Sequence, residues 1–204
     1  MKIIFTTIPM KDKIEKLKYP VEGYKDLEYE DPVIFPVNAV LAKTLKKGEP
    51  VKIVQLMNDS GSSKKNAETF KTELKSLNER IGADISFFDV TEAFEENKET
   101  HENRFRKLLD YLEPDAEIIT DITFGQKTLP IVLFCVLNFA EKFFNAEIKH
   151  IIYGKAEFEK GEIKKDSQRI FDLTPLYYLN SLTSAMEAPD GKSAIKTIDK
   201  FFAL

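Results

Sequence analysis

The sequence is poor in the residue types that build most metal centres and disulfide frameworks. Its 204 residues include one cysteine, Cys135, two histidines and no tryptophan. A single cysteine excludes a disulfide framework and a cysteine-based metal site, and because Cys135 stands inside an apolar run we expect a small, buried side chain. His101 and His150 lie far apart without a second ligand at metal-binding spacing, so we predict no metal site and no histidine catalyst.

A strong positive charge and long apolar runs are also absent. The formal net charge is −4, which predicts no general attraction to duplex nucleic acid. The longest apolar run, Leu129 to Leu137, is far shorter than the roughly 20 residues that a membrane-spanning helix needs. The amino-terminal residues do not have the pattern of a secretory signal. We therefore expect a cytoplasmic protein that binds neither a membrane nor duplex nucleic acid.

Segments suited to strands and helices alternate along the chain. Apolar or β-branched runs begin near residues 2, 51, 85, 116 and 147, and segments typical of helices separate most of them, the clearest from Ser62 or Ser63 to Ile81. This alternation predicts an α/β fold with a Rossmann-like, mostly parallel sheet and helices on both faces. Between the first strand and Val37 the sequence is polar and contains proline, without a regular pattern.

The carboxyl-terminal part departs from this alternation. Ala156–Glu159 and Ile170–Leu173 flank Lys160-Gly161-Glu162, which predicts a hairpin or a pair of edge strands, and two helices follow. We therefore expect a single domain over residues 1–204. Its core covers about residues 1–155, and a hairpin and helical extension covers about 156–204.

One turn combines the features of an anion-binding site. Asp121-Ile122-Thr123-Phe124-Gly125-Gln126-Lys127 follows a strand-like run and precedes a helix that begins at Leu129. Gly125 permits a positive φ, the start of the helix offers unpaired N–H groups, and Lys127 adds a cation. Open α/β sheets bind anionic and nucleotide ligands at such turns. The sequence leaves two roles open for Asp121, which are a cap on the turn and a contact with the ligand.

The predicted topology brings other polar segments to the same place. In a parallel sheet with right-handed crossovers, the carboxyl ends of the strands lie at one edge. We expect this edge to collect four segments: Thr6-Thr7-Ile8-Pro9, Asn58-Asp59-Ser60-Gly61-Ser62-Ser63, Asp121–Lys127 and Tyr153-Gly154-Lys155. A Gly-x-Gly-x-x-Gly turn does not follow the first strand, which argues against ordinary NAD binding. Walker and Ser-His-Asp patterns are absent as well.

The same residues carry a family resemblance. Asp121–Lys127 resembles the Asp-x-Thr-His-Gly-x-Arg/Lys signature of the CRISPR-associated Rossmann-fold (CARF) sensor domains. Asp172-Leu173-Thr174-Pro175-Leu176 is similar to a downstream block of that family, and the order of elements agrees from the first strand to about Leu182. Phe124 stands where the signature has histidine, so any role of that imidazole is absent here.

The resemblance implies a homodimer that binds one cyclic oligoadenylate, the second messenger of type III CRISPR antiviral defence, across its two-fold axis. We favour cyclic tetra-adenylate because a compact groove suits a small ring, and cyclic hexa-adenylate is the alternative. No cofactor is expected. The candidate ligand-binding residues are Thr6, Thr7, Asn58, Ser60, Gly61, Ser62, Asp121, Thr123, Phe124, Gly125, Gln126, Lys127, Tyr153 and Lys155.

Three alternatives stay open at this point. Some members of the family cut the ring through the ribose 2′-hydroxyl without a metal, so a ring nuclease assisted by Lys127, Lys155 or Thr7 is the enzymatic alternative. No catalytic residue is assigned. The family also attaches sensor domains to effectors, which leaves open an effector domain fused beyond Leu204. The third alternative is a nucleotide-handling Rossmann protein outside this defence system.

Overall fold

A computed structural model describes residues 1–160 and 162–203. The described strands are β1 (Lys2–Thr7), β2 (Pro50–Asn58), β3 (Asp84–Glu92), β4 (Glu117–Asp121), β5 (Glu147–Lys155), β6 (Phe158–Glu159), β7 (Glu162–Ile163) and β8 (Arg169–Asp172). The described α-helices are α1 (Pro36–Thr44), α2 (Ser63–Ile81), α3 (Lys98–Leu109), α4 (Leu129–Phe144), α5 (Thr174–Ala185) and α6 (Gly191–Phe202).

Six of these strands form one sheet in the order β3-β2-β1-β4-β5-β8. The first five are parallel, and β8 runs antiparallel to β5. From β1 the chain proceeds to β2 and β3 on one side and returns to β4 and β5 on the other. The strand order therefore reverses between β1 and β4, which is the position where open α/β sheets bind ligands beyond the carboxyl ends of their strands.

Helices cover both faces of the sheet, as the alternation predicted. On one face, Phe70 and Leu74 of α2 pack in a core with Ile4, Ile53 and Ile119, which are paired across β1, β2 and β4. Helix α1 lies beside α2 on that face. Because crossovers between parallel strands are right-handed, α3 and α4 cover the opposite face, where they contact each other. The α/β prediction is confirmed.

The boundaries of α2 follow from its sequence. Phe70 and Leu74 are fully buried and stand four residues apart, so they share the face that meets the sheet. Gly82 ends the helix in the left-handed region with φ +78°, and its N–H donates to the carbonyl of Asn78 at 2.7 Å. The predicted helix from Ser62 or Ser63 to Ile81 agrees with the observed Ser63–Ile81.

Helix α4 is apolar on its outer face as well as its inner face, and this overturns one prediction. Leu133 and Val136 are fully buried against the sheet, whereas Ile131 and Phe143 are exposed. Cys135, which stands four residues after Ile131, is exposed too. The prediction of a buried Cys135 is wrong because α4 packs through one face only, and an all-apolar sequence does not indicate which face that is.

The carboxyl-terminal hairpin forms with different partners from those predicted. Phe158–Glu159 pairs with Glu162–Ile163 as a separate short ladder, while β8 joins the main sheet beside β5. Ile170 is fully buried in the core, which explains why its strand joins the large sheet. Gly161, at the centre of the predicted hairpin turn, lies outside the described residues.

The chain divides into two compact units, Met1–Leu173 and Thr174–Leu204. The first contains the six-stranded sheet and the short β6–β7 ladder. The second contains α5 and α6, and α6 begins at Asp190, whose carboxylate accepts from the N–H of Ser193 at 2.9 Å. Leu204 is outside the described residues. Of the helices that the structure describes, none is both long and apolar enough to cross a membrane.

Candidate functional site

Strands β1 and β4 end side by side, and their last residues form a buried polar network. Thr6 and Asp121 are direct neighbours in the parallel register. Both have no exposed surface. The network lies where the strand order reverses, directly before the turn that the sequence singled out.

Asp121 is the acceptor at the centre of this network. Its carboxylate accepts from the Thr6 hydroxyl and from the Thr123 N–H, each at 3.0 Å, and also from the Thr123 hydroxyl. Burial raises the pKa of the Asp121 carboxyl to about 6, although these hydrogen bonds favour the ionised form and oppose the shift. The carboxylate caps the turn, which is one of the two roles left open for it, and lies beneath the molecular surface.

Thr7 and Thr123 extend the network to the backbone of two neighbouring segments. The Thr7 hydroxyl donates to the carbonyl of Asp121 at 3.2 Å and accepts from the N–H of Phe124 at 3.0 Å. The Thr123 hydroxyl accepts from the N–H of Gly154 at 2.8 Å. These bonds fix the 121–125 turn against the end of β5.

Two glycines allow the close approaches that this arrangement needs. Gly125 has φ +90°, and an added Cβ would lie 2.6 Å from Cδ1 of Leu129. Gly154 packs against the first residue of α1, where an added Cβ would lie 2.8 Å from Cβ of Pro36 and 3.1 Å from Cγ2 of Thr123. A side chain at either position would displace the turn.

Above the network lies an open cleft, named here the β4–β5 cleft, with a volume of about 390 Å³. Thr123 and Phe124 of the turn meet Tyr153, Gly154 and Lys155 of β5 in its wall. The structure thus brings together four of the predicted ligand-binding side chains. The rest of the wall is formed by Lys11, Lys13, Ile14, Glu15, Tyr19, Ile34, Ala156, Phe158, Glu162 and Ile163.

The surface of the cleft combines aromatic rings with cations. Phe124 is half-buried, and its ring meets that of Phe35 edge-on with centroids 6.3 Å apart. The Phe124 ring therefore packs against the hydrophobic core. Tyr153 leaves 36% of its surface exposed. Lys11 places its Nζ 4.9 Å from the centroid of the Phe158 ring. This composition suits a flat, apolar group that carries a negative charge beside it.

The predicted residues that follow β2 lie elsewhere. Asn58 is buried, and its amide oxygen accepts from Nη2 of Arg104 at 3.2 Å. Ser60 and Gly61 approach Met10, and the hydroxyl of Ser62 donates to Asp12. The segment after β1 thus contacts the Asn58–Ser62 turn, and none of these predicted residues lines the β4–β5 cleft.

The last two residues of the 121–127 turn do not line the cleft. Gln126 is 5% exposed, and its amide nitrogen and oxygen have no hydrogen-bond partner within the described chain. Lys127 is exposed and is absent from the cleft lining. The sequence placed both residues with Thr123 and Phe124, but the structure separates them.

Several cleft residues were not predicted. Lys11, Lys13 and Tyr19 come from the irregular segment after β1, and Phe158 comes from β6. Burial is the main cause that raises the pKa of the Tyr19 phenol to about 12. The apolar residues of this segment are the sequence signal that could have predicted its packing on the domain, since Val21, Leu27 and Val33 are all buried.

The chain was compared with known proteins. No protein-family model matches it, and no curated protein does. Within the part of the chain that the structure describes, no three His, Cys, Asp or Glu side chains are grouped so as to hold a metal ion.

The outer face of α4 presents an apolar surface. Ile131, Cys135, Phe139 and Phe143 recur every four residues and form one stripe, named here the α4 stripe. The ring centroids of Phe139 and Phe143 lie 4.6 Å apart. Beside the amino-terminal half of the stripe, a hollow of about 470 Å³ is lined by residues that include Thr128, directly after the 121–127 turn.

Proposed function

We propose that the β4–β5 cleft binds part of a cyclic oligoadenylate and that the protein acts as a dimeric sensor of this messenger in the cytoplasm, in type III CRISPR defence. The observation that carries the proposal is that Thr123 and Phe124 of the turn resembling the CARF signature meet Tyr153 and Lys155 in one cleft. This cleft lies next to the strand-order reversal between β1 and β4, at the carboxyl edge of the sheet where nucleotide ligands bind in open α/β sheets.

The chemistry of the wall matches the parts of such a ring. Adenine bases stack on aromatic faces, which Phe124, Tyr153 and Phe158 supply. Phosphodiesters need cations and N–H donors, and Lys11 and Lys155 supply the cations. Such a wall offers surfaces for bases and cations for phosphates, beside the carboxylates of Glu15 and Glu162.

The size of the cleft supports a dimer. A volume of about 390 Å³ is within the range of a site for one small ligand, so it takes a part of a cyclic tetra-adenylate. A ring with two-fold symmetry is bound completely when two copies present the same cleft. We therefore propose that two protomers share one ring.

The α4 stripe is the surface that we assign to this pairing. Ile131, Cys135 and Phe143 are all exposed, and a contiguous exposed apolar surface is typical of a site of protein–protein contact. Helix α4 begins at Leu129, two residues after Lys127. A two-fold axis parallel to α4 would therefore bring the 121–127 turns of both copies to the same edge of the dimer. We therefore propose that a second copy of this chain packs on the α4 stripe.

The binding proposal is tested by calorimetric titration with cyclic tri-, tetra- and hexa-adenylate. We expect cyclic tetra-adenylate to bind most tightly, with one ring per two chains. Tyr153→Ala should weaken binding by about 1 to 3 kcal/mol if the ring stacks a base. Tyr24→Ala is the matched control, because Tyr24 has a similar exposure of 38% and does not line the cleft. Absence of binding to all three rings would overturn the proposal.

The same samples distinguish the sensor from the ring nuclease. After hours with excess protein, chromatography should return the intact ring. Linear oligoadenylate products that depend on the protein would instead support the enzymatic alternative.

The dimer is tested by light scattering coupled to size exclusion. We expect two chains per particle, and Phe143→Asp should produce single chains, because it places a charge in the stripe. Cys135 is the one cysteine of the sequence and lies on the stripe, so its reaction with a maleimide should be slow in the wild type and fast in the variant. Equal labelling rates would place the interface elsewhere.

A further inference from the structure

A second polar depression adjoins the β4–β5 cleft. It has a volume of about 340 Å³ and lies between the end of β5 and the start of β8, and we name it the basic hollow. Its lining residues are Lys155, Glu157, Lys164, Lys165, Asp166, Ser167, Arg169 and Phe171. Four cations and two carboxylates thus meet at one place in a chain whose net charge is −4.

Most of this positive charge is not neutralised by the protein. Lys164 pairs with Glu157 at 3.3 Å. Lys155, Lys165 and Arg169 have no carboxylate within ion-pair distance among residues 1–160 and 162–203. Three unpaired cations repel one another, and a bound anion would relieve that repulsion.

The loop that carries these cations is held in place. The Ser167 hydroxyl donates to the carbonyl of Lys164 at 2.6 Å and accepts from the N–H of Glu157 at 3.1 Å. Nη1 of Arg169 donates to the carbonyls of Asp166 and Gln168 at 2.9 and 2.7 Å. Nε and Nη2 of Arg169 make no hydrogen bond within the described residues, so the guanidinium is positioned by one nitrogen and keeps the other two for a ligand.

Lys155 connects this hollow to the cleft, because its side chain lines both. We propose that Lys155, Lys165 and Arg169 form a phosphate-binding subsite that holds a phosphate of the ligand whose bases stack in the β4–β5 cleft. The proposal rests on the proposed function for the identity of the ligand. The phosphate is either a phosphodiester of the ring or the terminal phosphate of a linear oligoadenylate.

The test uses the double variant Lys165→Ala/Arg169→Ala, which replaces no residue of the cleft wall. Lys46→Ala/Lys47→Ala is the matched control, because both lysines are exposed just before β2, at the opposite edge of the sheet, and it removes the same charge. The probes are cyclic tetra-adenylate, linear tetra-adenylate with and without a 5′-phosphate, and tripolyphosphate. Each affinity is measured over a series of salt concentrations.

We expect the double variant to bind cyclic tetra-adenylate about tenfold more weakly at 0.1 M salt. The slope of log K against log salt should fall by about 1.4, since each phosphate contact to a single strand contributes about 0.7. The control should behave as the wild type. A loss confined to the 5′-phosphorylated linear strand would assign the subsite to a terminal phosphate.

The outcomes separate this proposal from the function on which it rests. If both the ring and the 5′-phosphorylated linear strand bind equally to the two double variants, the subsite is refuted and the sensor function stands. If no oligoadenylate binds, the sensor function is refuted, and the binding of tripolyphosphate then tests the subsite. Binding of tripolyphosphate that is lost only in Lys165→Ala/Arg169→Ala supports it, and any other result with that probe refutes it.

Discussion

Replacing Asp121 by asparagine should change how stability depends on pH. The folded protein holds this carboxyl at a pKa of about 6 because it is buried, against 3.8 for an aspartate carboxyl in water. A pKa raised by folding means that the folded state binds the proton more tightly than the unfolded state does. The resulting stabilisation is complete below about pH 3.8 and is lost as the pH rises through 6.

The magnitude follows from the size of the shift. Between pH 6 and 4.5 the folded carboxyl is largely protonated while the unfolded one is largely ionised, and each pH unit contributes about 1.36 kcal/mol. The wild type should therefore gain about 2 kcal/mol relative to Asp121→Asn when the pH falls from 8 to 4.5. The comparison with the variant cancels the titration of all other groups.

Urea unfolding followed by circular dichroism at both pH values measures this difference. Asp59→Asn serves as the control, because Asp59 is exposed in the turn after β2. A difference between wild type and Asp121→Asn that does not vary with pH would refute the assignment of Asp121 as a buried, desolvated carboxylate. Asp121→Ala should cost about 2 to 4 kcal/mol at pH 8, because the Thr6 and Thr123 donors lose their acceptor, and more at pH 4.5 for the reason given above.

Four further substitutions test the turn and the cleft. Gly125→Ala should lower the free energy of unfolding by about 1 to 3 kcal/mol, measured in urea, because φ is +90° and the new Cβ meets Leu129. Gly154→Ala should lower it by a similar amount, about 1 to 3 kcal/mol, because the new Cβ meets α1. Lys155→Ala should weaken binding of cyclic tetra-adenylate by about 1 to 3 kcal/mol. Lys127→Ala, which removes a lysine outside the cleft, should weaken this binding less than Lys155→Ala does. A larger effect of Lys127→Ala would place the ring on the turn instead of in the cleft.

The regular part of the fold was predictable because its residues repeat with the period of their element. The burial of Phe70 and Leu74 on one face of α2 follows from their spacing. The meeting of Thr6 with Asp121 follows from parallel register once β1 and β4 are neighbours. The predicted turn and the end of β5 therefore do come together in the structure.

The remaining parts of the site have no periodic signal. Lys11 and Tyr19 reach the cleft because the segment after β1 packs through an isolated bridge between Leu17 and Val33 and another between Val21 and Ile170. Such single bridges leave no pattern in the sequence. Conversely, the sequence could not show that the Asn58–Ser62 turn lies outside the cleft and contacts the segment after β1, because this depends on where that same segment lies.

This arrangement divides the site into two layers with different requirements. In the lower layer, Asp121 and Thr7 have no exposed surface and hold the backbone of Phe124. In the upper layer, Tyr153 and Lys155 are exposed and can contact a ligand directly. Substitutions in the lower layer should therefore change stability and binding together, whereas substitutions in the upper layer should change binding with little effect on unfolding. Measuring both quantities for each variant separates the residues that position the site from those that bind.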